Sequence, residues 1–255
     1  MIQIKDFSFC YGKKKILYDI NIKSPYGSLN SLIGINGAGK STLFACLSKQ
    51  NNSMCKTIFV NNKDINQYSY REYAKIVSFV PQFSLINRVD SIVRDFLVEA
   101  RTPYLPLFSV PGRKEYDFVE KIANKVGVTH LLSENFSKLS GGQQQMLLLT
   151  RALVQDTPII LLDEPMSALD LRNQALLLNL IKNLSRQGKT ILFSTHNPNH
   201  ALWLNCDVLL LQKGTIICQG SADVCLSNET LQKIYGDNVE TIRFKNKKIV
   251  SLKVF

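Results

Sequence analysis

The feature that most constrains this chain is an eight-residue loop, Gly34-Ile35-Asn36-Gly37-Ala38-Gly39-Lys40-Ser41, set directly after a short expected strand, Leu29–Ile33. Its glycines let the backbone turn N–H groups inward, forming a nest that favours an anion. Leu43, Phe44 and Leu47 follow at helical spacing and predict a helix that begins near Lys40, with its positive N-terminal end aimed into the nest. A triphosphate is the anion such a loop suits. Lys40 would reach the β- and γ-phosphates, and the Ser41 hydroxyl would ligate Mg²⁺. Gly34, Asn36, Gly37, Ala38, Gly39 and Thr42 complete the expected nucleotide-binding set. The competing reading, a chance glycine-rich turn, has to explain the strand before the loop and the helix after it.

The remainder of the chain is consistent with an α/β fold. Its 255 residues, 45% of them apolar, suffice for one large domain or one domain with an insertion. Ile2, Ile4, Phe7 and Phe9, then Ile16, Tyr18, Ile20 and Ile22, fall near alternation and predict two strands, with Lys13, Lys14 and Lys15 as the turn between them. Further strands are expected at 57–60 and 76–80. Helical spacing then takes over, in Ile92, Val93, Phe96, Leu97 and Ala100 and again in Tyr116, Val119, Ile122, Ala123 and Val126. A proline-rich stretch, 102–112, separates the two. Strand and helix alternate again from Ile159–Leu162, through a helix with Leu176, Leu177, Leu180, Ile181 and Leu184 on one face, to a strand at 190–194 and a short helix from Pro198. The tail from Val208 predicts strand, a turn at Gly214, strand, then small elements. The expected organisation is 1–82 and 156–220 as a core plus β subdomain, 83–155 as a helical insertion, and 221–255 as a tail.

With 31 Lys+Arg against 20 Asp+Glu, the net charge of +11 suits anionic partners or a solvated basic face. Cys10, Cys46, Cys55, Cys206, Cys218 and Cys225 form no C-x-x-C pair and are expected as reduced, mostly buried thiols. No apolar run approaches the roughly 20 residues that cross a bilayer, and the start does not resemble a signal peptide.

Two further motifs carry chemistry. Ile159-Ile160-Leu161-Leu162-Asp163-Glu164 is an apolar strand delivering two carboxylates to its C-terminal end, where open α/β sheets bind ligands. Asp163 would hold Mg²⁺ and Glu164 would be the general base for an attacking water. Leu139-Ser140-Gly141-Gly142-Gln143 precedes a helix and, taken alone, could be a glycine-softened helix start with a Ser cap. It lies, however, between the phosphate loop and the Asp-Glu strand.

The three motifs in this order resemble the ATP-binding cassette (ABC) ATPases over nearly the whole chain. The resemblance implies an α/β P-loop ATPase with an N-terminal antiparallel β subdomain and an inserted helical subdomain. It also implies a head-to-tail homodimer sandwiching two ATP molecules, in which Ser140, Gly141, Gly142 and Gln143 contact ATP held by the partner copy. Tyr11 resembles the aromatic that stacks on adenine, against the alternative of a core aromatic. Gln82 resembles the Q-loop glutamine that touches Mg²⁺ or water. The stretch Ser167-Ala168-Leu169-Asp170 resembles the D-loop, with Asp170 at the dimer interface, and His196 resembles the switch histidine. Catalysis would then involve Glu164, His196, Gln82 and Lys40, with Ser41, Gln82 and Asp163 around Mg²⁺. Met146 stands where Arg is common, and Met166 where Thr is common.

Glu99-Ala100-Arg101-Thr102-Pro103-Tyr104 and His196-Asn197-Pro198-Asn199-His200-Ala201 are similar to stretches in importers of iron–siderophores, haem, cobalamin and related metal chelates or oxyanions. Ala100 replaces the usual Gly and Asn197 the usual Asp; a generic turn and helix cap is the alternative. The resemblance implies ATP hydrolysis on the cytoplasmic face of the inner membrane, integral-membrane permease subunits as partners, an indirect substrate-binding protein, and no nucleic acid. A free-standing cassette of iron–sulfur assembly would share the ATP motifs but not the 99–104 stretch. A cassette acting on nucleic acid would bring a second cassette, a zinc module or coiled-coil arms.

Overall fold

The computed structural model describes residues 1–51, 57–82, 90–245 and 247–253. The chain divides into two compact units, Met1–Gln67 with Ser185–Phe255, and Tyr68–Leu184.

In the first unit, β1 (Ile2–Tyr11) and β2 (Lys14–Ser24) form an antiparallel hairpin. Ile2, Ile4 and Phe7 on one strand and Leu17, Ile20 and Ile22 on the other are buried. Tyr11 pairs with Lys14, so the turn is only Gly12-Lys13, and Gly12 at φ 56° supplies the left-handed conformation that two-residue hairpin loops need. Lys14 and Lys15, expected in the turn, are therefore strand residues. Together with β4 (Ile58–Val60) and β5 (Lys63–Asp64), the hairpin makes a sheet in the order β2-β1-β4-β5.

The same unit holds the strands around the phosphate loop. β3 (Leu29–Ile33) runs parallel to β8 (Thr190–Thr195) on one side and β9 (Asp207–Gln212) on the other, and β10 (Thr215–Ser221) returns antiparallel to β9. Every residue of β8 is buried, as in strands covered on both faces. The buried polar groups of β3 are satisfied. Asn30 Nδ2 donates to the Ser24 and Ser28 hydroxyls at 2.8 Å each, and Ser31 Oγ donates to the Asp207 carbonyl. The loop leads into α1 (Lys40–Leu47), and α7 (Asn199–Leu204) follows β8. Beyond β10 come α8 (Ala222–Cys225), α9 (Asn228–Tyr235) and a hairpin of β11 (Val239–Phe244) and β12 (Lys247–Leu252).

The second unit holds a parallel pair, β6 (Val77–Val80) and β7 (Ile159–Leu162), with α2 (Tyr70–Tyr73), α3 (Val93–Val98), α4 (Arg113–Val126), α5 (Gly141–Val154) and most of α6 (Leu171–Arg186). α5 is the central helix, buried from Gln145 through Thr150 and again from Ala152. On α6 the buried face is Leu177, Leu178, Ile181 and Leu184, whereas Leu176, expected on that face, is 52% exposed. The i, i+1, i+4, i+7 spacing centres the stripe one position further on.

The expected mixed α/β architecture, with an antiparallel β subdomain and a helical part, is present. The cysteines differ from expectation. Cys218 in β10 and Cys225 at the end of α8 form a disulfide, because the turn from strand to helix brings their Cα atoms to 5.7 Å. Cys10 is exposed; Cys46 and Cys206 are buried free thiols whose pKa burial pushes up to about 12, which makes them poor nucleophiles. Cys55 lies outside the described residues. Among the described residues no helix is long and apolar enough to cross a membrane.

Candidate functional site

The phosphate loop is shaped by its neighbours. Gly37 and Gly39 sit at φ 79° and 107°, conformations that L side chains rarely adopt. A Cβ on Gly39 would lie 2.8 Å from Leu17 Cδ2, and one on Gly34 would lie 2.4 Å from the Leu211 carbonyl oxygen. The loop therefore packs against β2 on one side and β9 on the other, with no room for a methyl group at either glycine. Gly214, in the β9–β10 turn, is a brace that motif reading missed. Its N–H donates to the Ala38 carbonyl at 3.0 Å and its own carbonyl accepts from Tyr18 N–H at 2.8 Å. The sequence marked Gly214 only as a turn; nothing in its local pattern ties it to residue 38.

Lys40 opens α1, is 5% exposed, and its Nζ donates to the carbonyls of Gly34 at 2.8 Å and Ile35 at 3.2 Å. The ammonium is thus fixed over its own loop. Gly39, the N-cap, supplies no side-chain hydrogen bond, so α1 has no side-chain cap competing with an anion for its first N–H groups. Ile35, Asn36, Gly37 and Ser41 are exposed. Tyr11 stands at the end of β1, 51% exposed, edge-on to Phe9, with its hydroxyl accepting from Asn51 Nδ2 at 2.6 Å. It is not a core aromatic, and its ring is accessible to a stacking partner.

His196 follows β8 and is exposed, while His200, one helical turn on, is buried. His200 Nδ1 lies 2.8 Å from Thr195 Oγ1, and its Nε2 lies 3.4 Å from Asn197 Nδ2. An amide nitrogen only donates, so Nε2 accepts and Nδ1–H donates to Thr195. The bond accepted by Nε2 requires a neutral ring, and burial, with the charge of His196 second, pushes the His200 pKa down to about 4. Asn197, where Asp is usual in the resembling importers, is thereby matched to a neutral histidine. Asn197 Oδ1 accepts from Asn199 N–H at 3.0 Å in the turn before α7, but the N-cap of α7 is Pro198, with no side-chain cap bond, so neither Asn197 nor Asn199 is the cap.

In the second unit, the parallel pairing sets Val80 opposite Leu162, and Asp163 N–H donates to the Val80 carbonyl at 2.9 Å. Gln82 and the pair Asp163–Glu164 therefore leave the same end of adjacent strands. Asp163 is 1% exposed and Glu164 is half-buried. Glu164 has φ 45°, a strained backbone for a residue with a side chain, of the kind that concentrates at reacting centres. Ser140 is the N-cap of α5 in a capping box: its N–H donates to Gln143 Oε1 at 2.9 Å and its Oγ accepts from Gln143 N–H at 3.4 Å. Gln144 Nε2 donates to the carbonyls of Phe136 and Leu139 and braces the turn from behind. A Cβ on Gly142 would stand 3.6 Å from the Ala168 carbonyl, which places the start of α5 beside 167–170. Asp170 Oδ1 accepts from Asn173 N–H at 2.8 Å and starts α6. Met146 and Met166 are both buried, so the departures from the usual Arg and Thr put apolar side chains at apolar positions.

The stretch Glu99–Tyr104 is a 3₁₀ segment. Arg101 donates to the Val154 carbonyl at 3.0 Å, with its guanidinium 4.3 Å from the Tyr104 ring centre and 4.6 Å from that of Phe118. Arg151 pairs with Glu99 at 3.3 Å and lies over Phe96. These residues tie the segment to the C-terminal half of α5. Beyond them Leu107, Phe108 and Val110 are 71%, 99% and 82% exposed.

The Ser41 hydroxyl in the first unit, and the Asp163 carboxylate and Gln82 amide in the second, are each hard oxygen donors of the kind Mg²⁺ takes. Among the described residues no group of three or more His, Cys, Asp or Glu could hold a metal ion.

The ABC transporter family model matches residues 17–167. The chain is 33% identical over 252 residues to a probable iron chelatin transport ATP-binding protein of Helicobacter pylori (strain ATCC 700392 / 26695), covering 98% of each chain. It is 31% identical to the ferric enterobactin transport ATP-binding protein FepC of Escherichia coli (strain K12), over 89% of this chain and 83% of that one. Among solved structures, a metal-chelate type ABC transporter in an inward-facing conformation superposes with a TM-score of 0.83 at 28% identity, covering 98% of this chain and 95% of the other.

Proposed function

Because the chain belongs to the ABC transporter family, as an ATP-binding, ATP-hydrolysing domain, we propose that it energises an importer of iron–siderophore, haem, cobalamin or a related metal chelate. The observation that carries this reading is a likeness to an iron-chelate transport ATPase that runs end to end, tail included. The proteins compared above are transport ATPases; none is an iron–sulfur assembly factor.

In this reading the loop at 34–41 holds the triphosphate by backbone N–H groups, the α1 N-terminus and the Lys40 ammonium, and Tyr11 stacks on the base. When bound, Mg²⁺ neutralises phosphate charge, with Ser41, Asp163 and Gln82 as its protein ligands. Glu164 takes the proton of the attacking water, and the exposed His196 side chain donates to the γ-phosphate. Ser140 to Gln143 contribute from a second copy of the chain. A capped helix N-terminus adds modest attraction of its own, in keeping with a group that completes a site rather than founding one. ATP then holds two copies together, and hydrolysis releases them, a two-state element biased by the γ-phosphate.

The permease contact belongs to the helical part. Leu107, Phe108 and Val110 supply exposed apolar surface there, on a turn in which Ser109 N–H and Oγ both donate to the Pro106 carbonyl. Peripheral attachment to the cytoplasmic face of the inner membrane, and an indirect link to a substrate-binding protein, follow from such a partner. The test is purification of the tagged chain from detergent-solubilised membranes of its source cells. A multi-span membrane protein should co-purify, and the pair reconstituted in vesicles should hydrolyse ATP faster in the presence of a ferric chelate and its binding protein. Recovery of the chain with soluble cluster-assembly factors and no membrane protein would overturn the reading.

A further inference from the structure

The segment after Ser221 carries none of the ATP-handling motifs, yet it closes on the loop that carries one of them. α9 ends at Tyr235, whose O–H donates to the main-chain carbonyl of His196 at 3.2 Å. Three residues further along that loop, Asn199 pairs with β12 as a neighbouring strand would. Val250 N–H donates to Asn199 Oδ1 at 2.8 Å, and Asn199 Nδ2 donates to the Val250 carbonyl at 3.0 Å. One side chain thus occupies both outward-facing backbone groups of an edge residue that would otherwise go to water.

The contact includes three hydrogen bonds to named groups. Beside these bonds lies an open pocket of about 400 Å³, lined by His196, Pro198, Tyr235, Val239, Val250 and Leu252. Hydrogen bonds to a backbone carbonyl and to a side-chain amide are directional, so they fix where the groups that make them sit. The backbone on either side of His196 is fixed as well. Thr195 Oγ1 accepts from Asn197 N–H at 3.1 Å and meets buried His200. The His196 carbonyl and the N–H groups of Asn197 and Asn199 are therefore held, and the His196 residue itself is exposed.

We propose that Tyr235, Asn199 and the β11–β12 hairpin form a clasp that positions His196 for its contact with the γ-phosphate, so that Tyr235 and Asn199 are positioning residues for ATP hydrolysis. The proposal rests on the reading of His196 given above. A reacting group displaced by about 1 Å loses up to about a hundredfold in rate, so a loosened clasp acts on turnover and leaves ATP binding to the 34–41 loop alone.

Steady-state ATPase assays on the full chain, with its permease where turnover requires it, test this. Asn199→Ala and Tyr235→Phe should each lower kcat about three- to tenfold with KM for ATP held within about twofold. Amide hydrogen exchange across 195–201 should quicken in both. Gln219→Ala removes an amide that donates to the Lys23 carbonyl from β10, outside the clasp, and should leave kcat unchanged. In a His196→Ala background, measured by single turnover, Asn199→Ala should add less than about a twofold further loss, since effects that run through one group do not add. Wild-type kcat in Asn199→Ala and Tyr235→Phe, while His196→Ala is impaired, would overturn the clasp and keep the histidine. So would an equal loss in both backgrounds, or an equal loss in Gln219→Ala. Full turnover in His196→Ala would remove the histidine reading and the clasp with it.

Discussion

The loop at 34–41 and the turn at 139–143 both lead glycines into a helix, and they are built in opposite ways. The first is founded on backbone geometry. Gly37 and Gly39 have positive φ, α1 has no side-chain cap, and Lys40 is folded over the loop carbonyls. The second is closed on itself: Ser140 and Gln143 satisfy each other's N–H groups, and none of its glycines has positive φ. A helix start without a side-chain cap, beside a fixed cation, is equipped to seize a polyanion unaided. A helix start already capped offers a weaker field and an exposed Ser hydroxyl, which suffices to add to an anion held by something else. The difference teaches that the two turns are unequal halves, one that binds and one that completes.

The largest effect should come from the binding half. Lys40→Ala removes the ammonium and should weaken ATP binding about 10²- to 10³-fold by calorimetry, the scale of a charge-assisted contact to phosphate; Ser140→Arg should leave affinity of the isolated chain within about threefold. Unchanged binding in Lys40→Ala would erase the distinction.

Acid should then separate the two regions. The His200 pKa lies at about 4 in the folded chain, below its ordinary value near 6.5. The unfolded chain therefore binds the extra proton between those limits, and stability falls as pH drops from 6.5 towards 4, by roughly 3 kcal/mol at most. Hydrogen exchange at pH 4.5 should show lost protection at 190–204 ahead of 141–154. Asn197→Asp, which favours a protonated ring, should flatten that acid loss. The smallest effect belongs to the capped turn. Ser140→Ala should cost about 1 kcal/mol of stability, seen as a shift in the urea midpoint, because only a cap is lost.

Much of this was legible in the sequence. Positions 34–41 and 159–164 announce strand, loop and helix because glycine freedom and apolar runs are local signals, and the structure places Leu29–Ile33, Lys40–Leu47 and Ile159–Leu162 at those positions. What escaped is contact between residues remote in sequence. Gly214 braces Ala38 and Asn199 grips Val250, yet each has an ordinary local reading, as turn or helix cap. The Cys218–Cys225 disulfide escaped for a related reason: a spacing of seven becomes a bridge only when a strand turns directly into a helix. The 99–104 stretch was legible as a resemblance but not as a mechanism. Its arginine stacks on Tyr104 and Phe118 and bonds Val154, which packing alone explains. Leu176 shows the resolution limit of periodicity, where a stripe displaced by one residue keeps most of its members.

The central claim is that the 34–41 loop of one copy is completed by the 139–143 turn of another, and mixing two defective chains tests it most directly. Lys40→Ala lacks the binding half and Ser140→Arg the completing half, so neither should dimerise with ATP alone, as read by sedimentation in the Glu164→Gln background that blocks hydrolysis. Mixed one to one, they restore one intact pairing, the loop of the Ser140→Arg chain with the turn of the Lys40→Ala chain. The account predicts ATP-dependent heterodimers in the mixture and monomers in each variant alone. A mixture that stays monomeric while the Glu164→Gln parent dimerises would contradict it.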